Sequence, residues 1–154
     1  MPSLNEIISA SAVYLPGILN NVSLSLKTNE IIGIVGESGC GKTTLLKCVL
    51  GIVKPQSGAV KFLGKNIHAF NSAQMLEFRK SVQMVYQDAG GSLNPHLTIQ
   101  KILQEPLLVH NIEENHDTLI KNILTSFSLP HECLTKIPSQ LSGGEKQRVA
   151  IARS

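Results

Sequence analysis

"GESGCGKTT", Gly36 to Thr44, sets three glycines, a lysine and two threonines directly after the apolar run "IIGIV", Ile31 to Val35. The run is apolar at nearly every position, which suits a strand buried on both faces in the middle of a parallel sheet. Downstream, Leu45, Leu46, Val49 and Leu50 mark one face of a helix from Lys42 to Leu50, and Gly51 ends it. A glycine-rich turn between a buried strand and a helix lets backbone N–H groups converge on an anion, because side chains would block the approach. The helix adds the partial positive charge of its N-terminus.

Gly36-x-x-x-x-Gly41-Lys42-Thr43 matches the P-loop pattern. In that chemistry Gly36, Gly39 and Gly41 bare the backbone, Lys42 reaches the β- and γ-phosphates, and Thr43 gives its hydroxyl to Mg²⁺. Glu37, Ser38, Cys40 and Thr44 complete the loop and join the candidate nucleotide-binding set.

Bulk properties narrow the field. The chain has 154 residues, 42% hydrophobic and 16% charged, with a formal charge of +3. One globular domain is the default at this length. Its 14 basic and 11 acidic residues form no run, so nucleic acid is not an expected partner. Three cysteines, Cys40, Cys48 and Cys133, have neither disulfide nor zinc spacing and suit a reducing cytosol. No basic leader precedes an apolar stretch at Met1, so no signal peptide is expected. No stretch approaches the ~20 apolar residues that span a bilayer, so any membrane role is peripheral.

Around the loop, "IIS" with Val13 and Tyr14, then "VSLSL", read as a half-buried antiparallel layer. "AVKFLG" and "VQMVY" read as further strands, with a helix from Ser72 to Lys80 between them. Thr98 opens "IQKILQ", which the pattern predicts to stop before Pro106. Asp117 opens a helix with the stripe Leu119, Ile120, Ile123, Leu124 and Phe127. Five histidines, His68, His96, His110, His116 and His131, share no metal-ligand spacing and read as surface residues.

"LSGGEKQRVAIAR", Leu141 to Arg153, is a second anion-type turn. Ser142, Gly143 and Gly144 offer a hydroxyl and bare N–H groups where a helix begins. Together with the P-loop it resembles the signature motif of ATP-binding cassette (ABC) ATPases. The resemblance extends to Gln87, which matches the glutamine that helps ligate Mg²⁺ and couples the cassette to a membrane subunit. Tyr14, 22 residues before Gly36, stands where the family stacks an aromatic ring on adenine. "QDAGGSLNPHLTIQKILQEPL" is similar to cassettes of oligopeptide, dipeptide and nickel importers, with Ala89 in place of the usual proline.

The resemblance implies an α/β fold: a P-loop NTPase (RecA-like) ABC core with an N-terminal antiparallel β layer and a helical insert. Residues 1–93 would form the β layer and core, 94–138 the helical subdomain, and 139–154 the signature and the start of its helix. It further implies Mg-ATP as ligand and a head-to-tail dimer, homo- or heteromeric, in which Ser142, Gly143 and Gly144 act in trans. Integral membrane permease subunits would dock through the Q-loop and helical subdomain, at the cytoplasmic face of the membrane. In the family the signature helix leads to a strand ending in Asp-Glu, then a D-loop and a switch histidine, which do not occur here. Ser154 replaces the alanine usual after "IAR". Hence the expectation of an incomplete core, a central strand short of partners, and no turnover by the 154 residues alone. Two alternatives stand beside the importer reading: a non-catalytic nucleotide-binding remnant, and a soluble ABC ATPase of translation or DNA repair.

Overall fold

The computed structural model describes residues 6–154. They fold as two compact units, the first extending to Val82 and the second running from Gln83 to Ser154.

The first unit is built on an antiparallel sheet of order β2-β1-β3-β4, with β1 at Glu6–Leu15, β2 at Leu19–Lys27, β3 at Ser57–Phe62 and β4 at Lys65–Asn66. Its inner face supplies Ile8, Ala10, Val13, Leu19 and Val60 to a core completed by Leu45, Cys48 and Val49 of α1 (Lys42–Val49) and by Phe78 of α2 (Ser72–Ser81). Phe78 meets Phe62 and Phe70 edge-on, with ring centroids 5.2 and 6.1 Å apart. The start of α2 is fixed by a capping box between Asn71 and Gln74.

A bulge in β1 explains why the alternation there is loose. Ala12 has φ +50°, and the register with β2 shifts between Ala10 and Val13. Ile8 and Ala10 face the core, the bulge adds one residue, and Val13 takes the next core position. Tyr14 is thereby turned to the outer side, 37% exposed. Gly58 lies opposite the bulge at φ +90°, where an added Cβ would overlap the Ala12 carbonyl oxygen, so only glycine fits.

Two expected strands do not form. Ile31 to Val35 and Val82 to Tyr86 lie outside every ladder among the described residues. Exposure along the first run still alternates, Ile31 at 98% and Val35 at 96% against Ile32 at 39% and Ile34 at 37%. The apolar pattern states what such a segment could pair with; a strand also needs neighbours to take its N–H and C=O groups.

The second unit is helical: a single turn α3 (Ala89–Ser92), α4 (Ile99–Val109), α5 (His116–Ser126) and α6 (Gly143–Arg153). Leu93, Ile99, Ile102, Leu103, Ile120, Leu124, Leu129, Cys133, Leu141, Val149 and Ala150 form its core. The predicted stripe on α5 faces this core, with Ile120 and Leu124 buried. Helix α5 begins at His116, one residue before the expected Asp117, because the Asn115 side chain accepts from Thr118 N–H and caps it.

Helix α4 runs through Pro106 instead of stopping before it. Proline removes the N–H that would bond the carbonyl four residues back. The next turn is held by His110 N–H to the Pro106 carbonyl at 3.0 Å and Ile112 N–H to the Leu107 carbonyl at 2.9 Å. Leu107 also packs on the core. No described helix is long and apolar enough to cross a membrane.

Candidate functional site: two anion-type turns

The loop before α1 has the geometry of a phosphate cradle. Gly39 and Gly41 have φ +84° and +97°, which L side chains rarely adopt. Gly41 is the helix N-cap and offers no side-chain acceptor, and the first helical bond is Leu45 N–H to the Gly41 carbonyl at 2.8 Å. The N–H groups of Lys42, Thr43 and Thr44 therefore have no intrahelical acceptor. A Cβ at Gly41 would meet the Ile18 carbonyl oxygen at 2.8 Å, so the β1–β2 turn packs directly under this corner.

Lys42 Nζ donates to the Gly36 carbonyl at 2.7 Å and the Glu37 carbonyl at 2.6 Å. The chain's own backbone thus holds the ammonium across the loop. Cys40 is a free, exposed thiol with Sγ 3.7 Å from the same Nζ. Gly36 departs from expectation: its φ is not positive, and an added Cβ would meet only the Cys40 Sγ, at 2.8 Å. Ser38 lies in the turn, Thr43 is exposed and Thr44 half-buried.

The second turn precedes α6. Ser142 caps the helix through a capping box with Glu145. Glu145 Oε2 accepts from Ser142 N–H at 2.8 Å and from Ser142 Oγ–H at 2.6 Å, and Glu145 N–H donates to Ser142 Oγ at 3.3 Å. A Cβ added at Gly143 would meet nothing within 4 Å, and one at Gly144 would meet only Arg148 Nη1, at 3.6 Å. The fold itself therefore demands glycine at neither position. Arg148 Nε is buried without a partner among the described residues. Leu141, Val149 and Ala150 are buried and fix the helix in its unit. At its far end Arg153 Nη1 donates to the Ser92 carbonyl at 2.9 Å, tying α6 to the end of α3.

The P-loop and Tyr14 belong to the first unit; exposed Gln87 and the 142–144 turn belong to the second. Among the described residues, no three His, Cys, Asp or Glu side chains converge as a metal site. Sequence reasoning missed the roles of Glu145 and Ile18. Ser142-x-x-Glu145 before an apolar stretch is the capping-box pattern and could have revealed the first. Nothing local signals the approach of Ile18 to Gly41.

A cradle before one helix and a bare glycine turn before another define a P-loop nucleotide-binding domain carrying a second anion-type turn. The ABC transporter family model matches residues 19–154, and the chain belongs to that family. It is 34% identical over 139 residues to a putative oligopeptide transport ATP-binding protein, YkfD, of Bacillus subtilis (strain 168), covering 88% of this chain and 42% of that protein. It is 39% identical over 139 residues to the nickel import ATP-binding protein NikE of Escherichia coli (strain K12), covering 89% of this chain and 52% of that protein. The chain thus spans about half the length of the curated relatives it matches. Among solved structures, the cassette MJ0796, determined as a dimer in a post-hydrolysis state with ADP and Pi, superposes with TM-score 0.80 at 29% identity. That match covers 96% of this chain and 68% of the other. The chain is an ABC-type ATP-binding domain with oligopeptide and nickel import proteins among its relatives, and the neighbours extend beyond it.

Proposed function

We propose that this chain binds Mg-ATP in the P-loop before α1 and works as the ATP-binding subunit of a peptide/nickel-type ABC importer. The observation that carries the reading is the cradle itself: three successive N–H groups at the start of α1, with the Lys42 ammonium held across the loop at 2.6–2.7 Å from two of its carbonyls. Such a site is preorganised for a polyphosphate and requires little rearrangement. Thr43 Oγ is a hard donor of the kind Mg²⁺ takes. The ion would neutralise charge on the β- and γ-phosphates. Tyr14, turned outward by the bulge, offers a ring face to adenine.

In a head-to-tail pair, Ser142, Gly143 and Gly144 of one chain would close on the γ-phosphate held by the P-loop of the other. The open space at Gly143 supports this, since the fold has no internal need for glycine there. Whether the pair is homo- or heteromeric depends on the partner's sequence. Membrane permease subunits would engage the Q-loop and the helical segment 94–138 at the cytoplasmic face of the membrane.

Lys42→Ala tests the cradle. Hydrogen bonds to a charged group contribute about 1.5–3 kcal/mol. Calorimetric titration should therefore show Mg-ATP affinity weakened by about tenfold or more, with residual binding through the loop N–H groups. Affinity equal to the parent's would refute the assignment.

A further inference from the structure

The start of α6 already holds an anion, and it comes from the chain. One carboxylate oxygen, Glu145 Oε2, takes both the N–H and the O–H of Ser142. The hydroxyl hydrogen that a phosphate oxygen would accept is therefore donated elsewhere, and the remaining Oγ lone pair is an acceptor. Only the N–H groups of Gly143 and Gly144, the first two of the helix, have no acceptor within it. The hydrogen bond from the Ser142 side chain, and then that from its backbone, hold the Glu145 carboxyl below the usual carboxylate range. The charges of Lys136 and Arg148 act in the same direction. Facing it as well is Cys133, whose thiol is pushed up first by burial and then by the Glu145 charge. Protonation near neutral pH thus gives an incoming phosphate no relief.

We propose that Glu145 is a displaceable internal ligand of this turn: it holds Ser142 until a nucleotide phosphate takes the same two donors, and so raises the concentration at which the turn closes on nucleotide. The proposal rests on the reading of 142–144 as a γ-phosphate site and describes how that site is regulated. Two anions at one helix start repel, and charge-assisted bonds to Ser142 must be exchanged one for the other. Neutralising Glu145 while keeping its shape should remove the competition and leave a neutral acceptor for the cap.

The test follows backbone amide resonances of the full 154-residue chain during titration with Mg-ATP. In Glu145→Gln, half-saturation at Gly143 and Gly144 should fall about threefold or more relative to the parent, while the response at Gly39 and Gly41 is unchanged. The Glu145 carboxyl resonance of the parent, followed against pH, should titrate higher once Mg-ATP is bound, because Ser142 has been taken from it. Equal or weaker binding at Gly143 and Gly144 in the variant, or an unmoved Glu145 titration with binding at those amides intact, would overturn the proposal and spare the phosphate-site reading. Silence at Gly143 and Gly144 in both proteins, with Gly39 and Gly41 responding, would overturn the reading itself and the proposal with it.

Discussion

Gly41 and Gly143 read alike in the sequence, and the structure uses them for different reasons. Gly41 holds φ +97° with the Ile18 carbonyl 2.8 Å from where a Cβ would stand. Alanine there meets left-handed strain of about 1–2 kcal/mol and a backbone clash that the β1–β2 turn must absorb. Gly143 opens α6 in free space. Alanine there costs the fold nothing and suits a helix better than glycine, by up to about 1 kcal/mol. Urea unfolding should therefore place Gly41→Ala well below the parent and Gly143→Ala at or slightly above it. Gly143→Ala should nonetheless weaken nucleotide-driven pairing, because a methyl group would stand where the partner's phosphate is proposed to sit. Comparable destabilisation by both would mean that Gly143 serves the fold after all. The motif residues were legible because phosphate chemistry restricts their types and spacing. The Ile18 approach was not, since it joins residues far apart in the chain and leaves no pattern in either segment.

Among the elements, the strands that formed are those whose partners are local. β1 and β2 were readable from loosely alternating residues and β3 from its strand-like run, and β1 pairs antiparallel with both. "IIGIV" and "VQMVY" carry equally strong apolar patterns, yet neither joins a ladder, because pattern records a face to be buried and not the arrival of a neighbour. The bulge at Ala12 was invisible for a related reason: one extra residue shifts every later side chain by a face, and only the opposing Gly58 hints at it. A short turn, Ile67 to Ala69, carries an element-level pH dependence. His68 Nε2 is buried without a partner among the described residues. Burial, and then the charge of Lys54, hold the ring below its ordinary value of 6.5. A depressed folded value means the contribution is full above about pH 6.5 and is lost as pH falls through the folded value. Urea midpoints measured from pH 8 to pH 5 should thus fall more steeply for the parent than for His68→Gln. Parallel curves would show that the ring is hydrated and that its burial carries no pH dependence.

Taken as a whole, the molecule divides its chemistry between two units. The first carries the P-loop and the outward Tyr14; the second carries Gln87 and the turn before α6. Each has its own apolar core, so each can present its turn on a packed support. The composite site proposed above would draw on the first unit of one chain and the second of another. The chain spans about half the length of its curated relatives. Mixing two defective chains tests the composite directly. Lys42→Ala spoils every P-loop it contributes, and Ser142→Arg fills every 142–144 turn it contributes with a bulky cation. Each alone should remain monomeric in Mg-ATP by sedimentation velocity, under conditions where the parent pairs. Mixed together they can build one intact site, from the P-loop of the Ser142→Arg chain and the turn of the Lys42→Ala chain. Mg-ATP should then produce a dimer containing one of each. A parent that pairs in Mg-ATP beside a mixture that stays monomeric would contradict the proposed arrangement in trans.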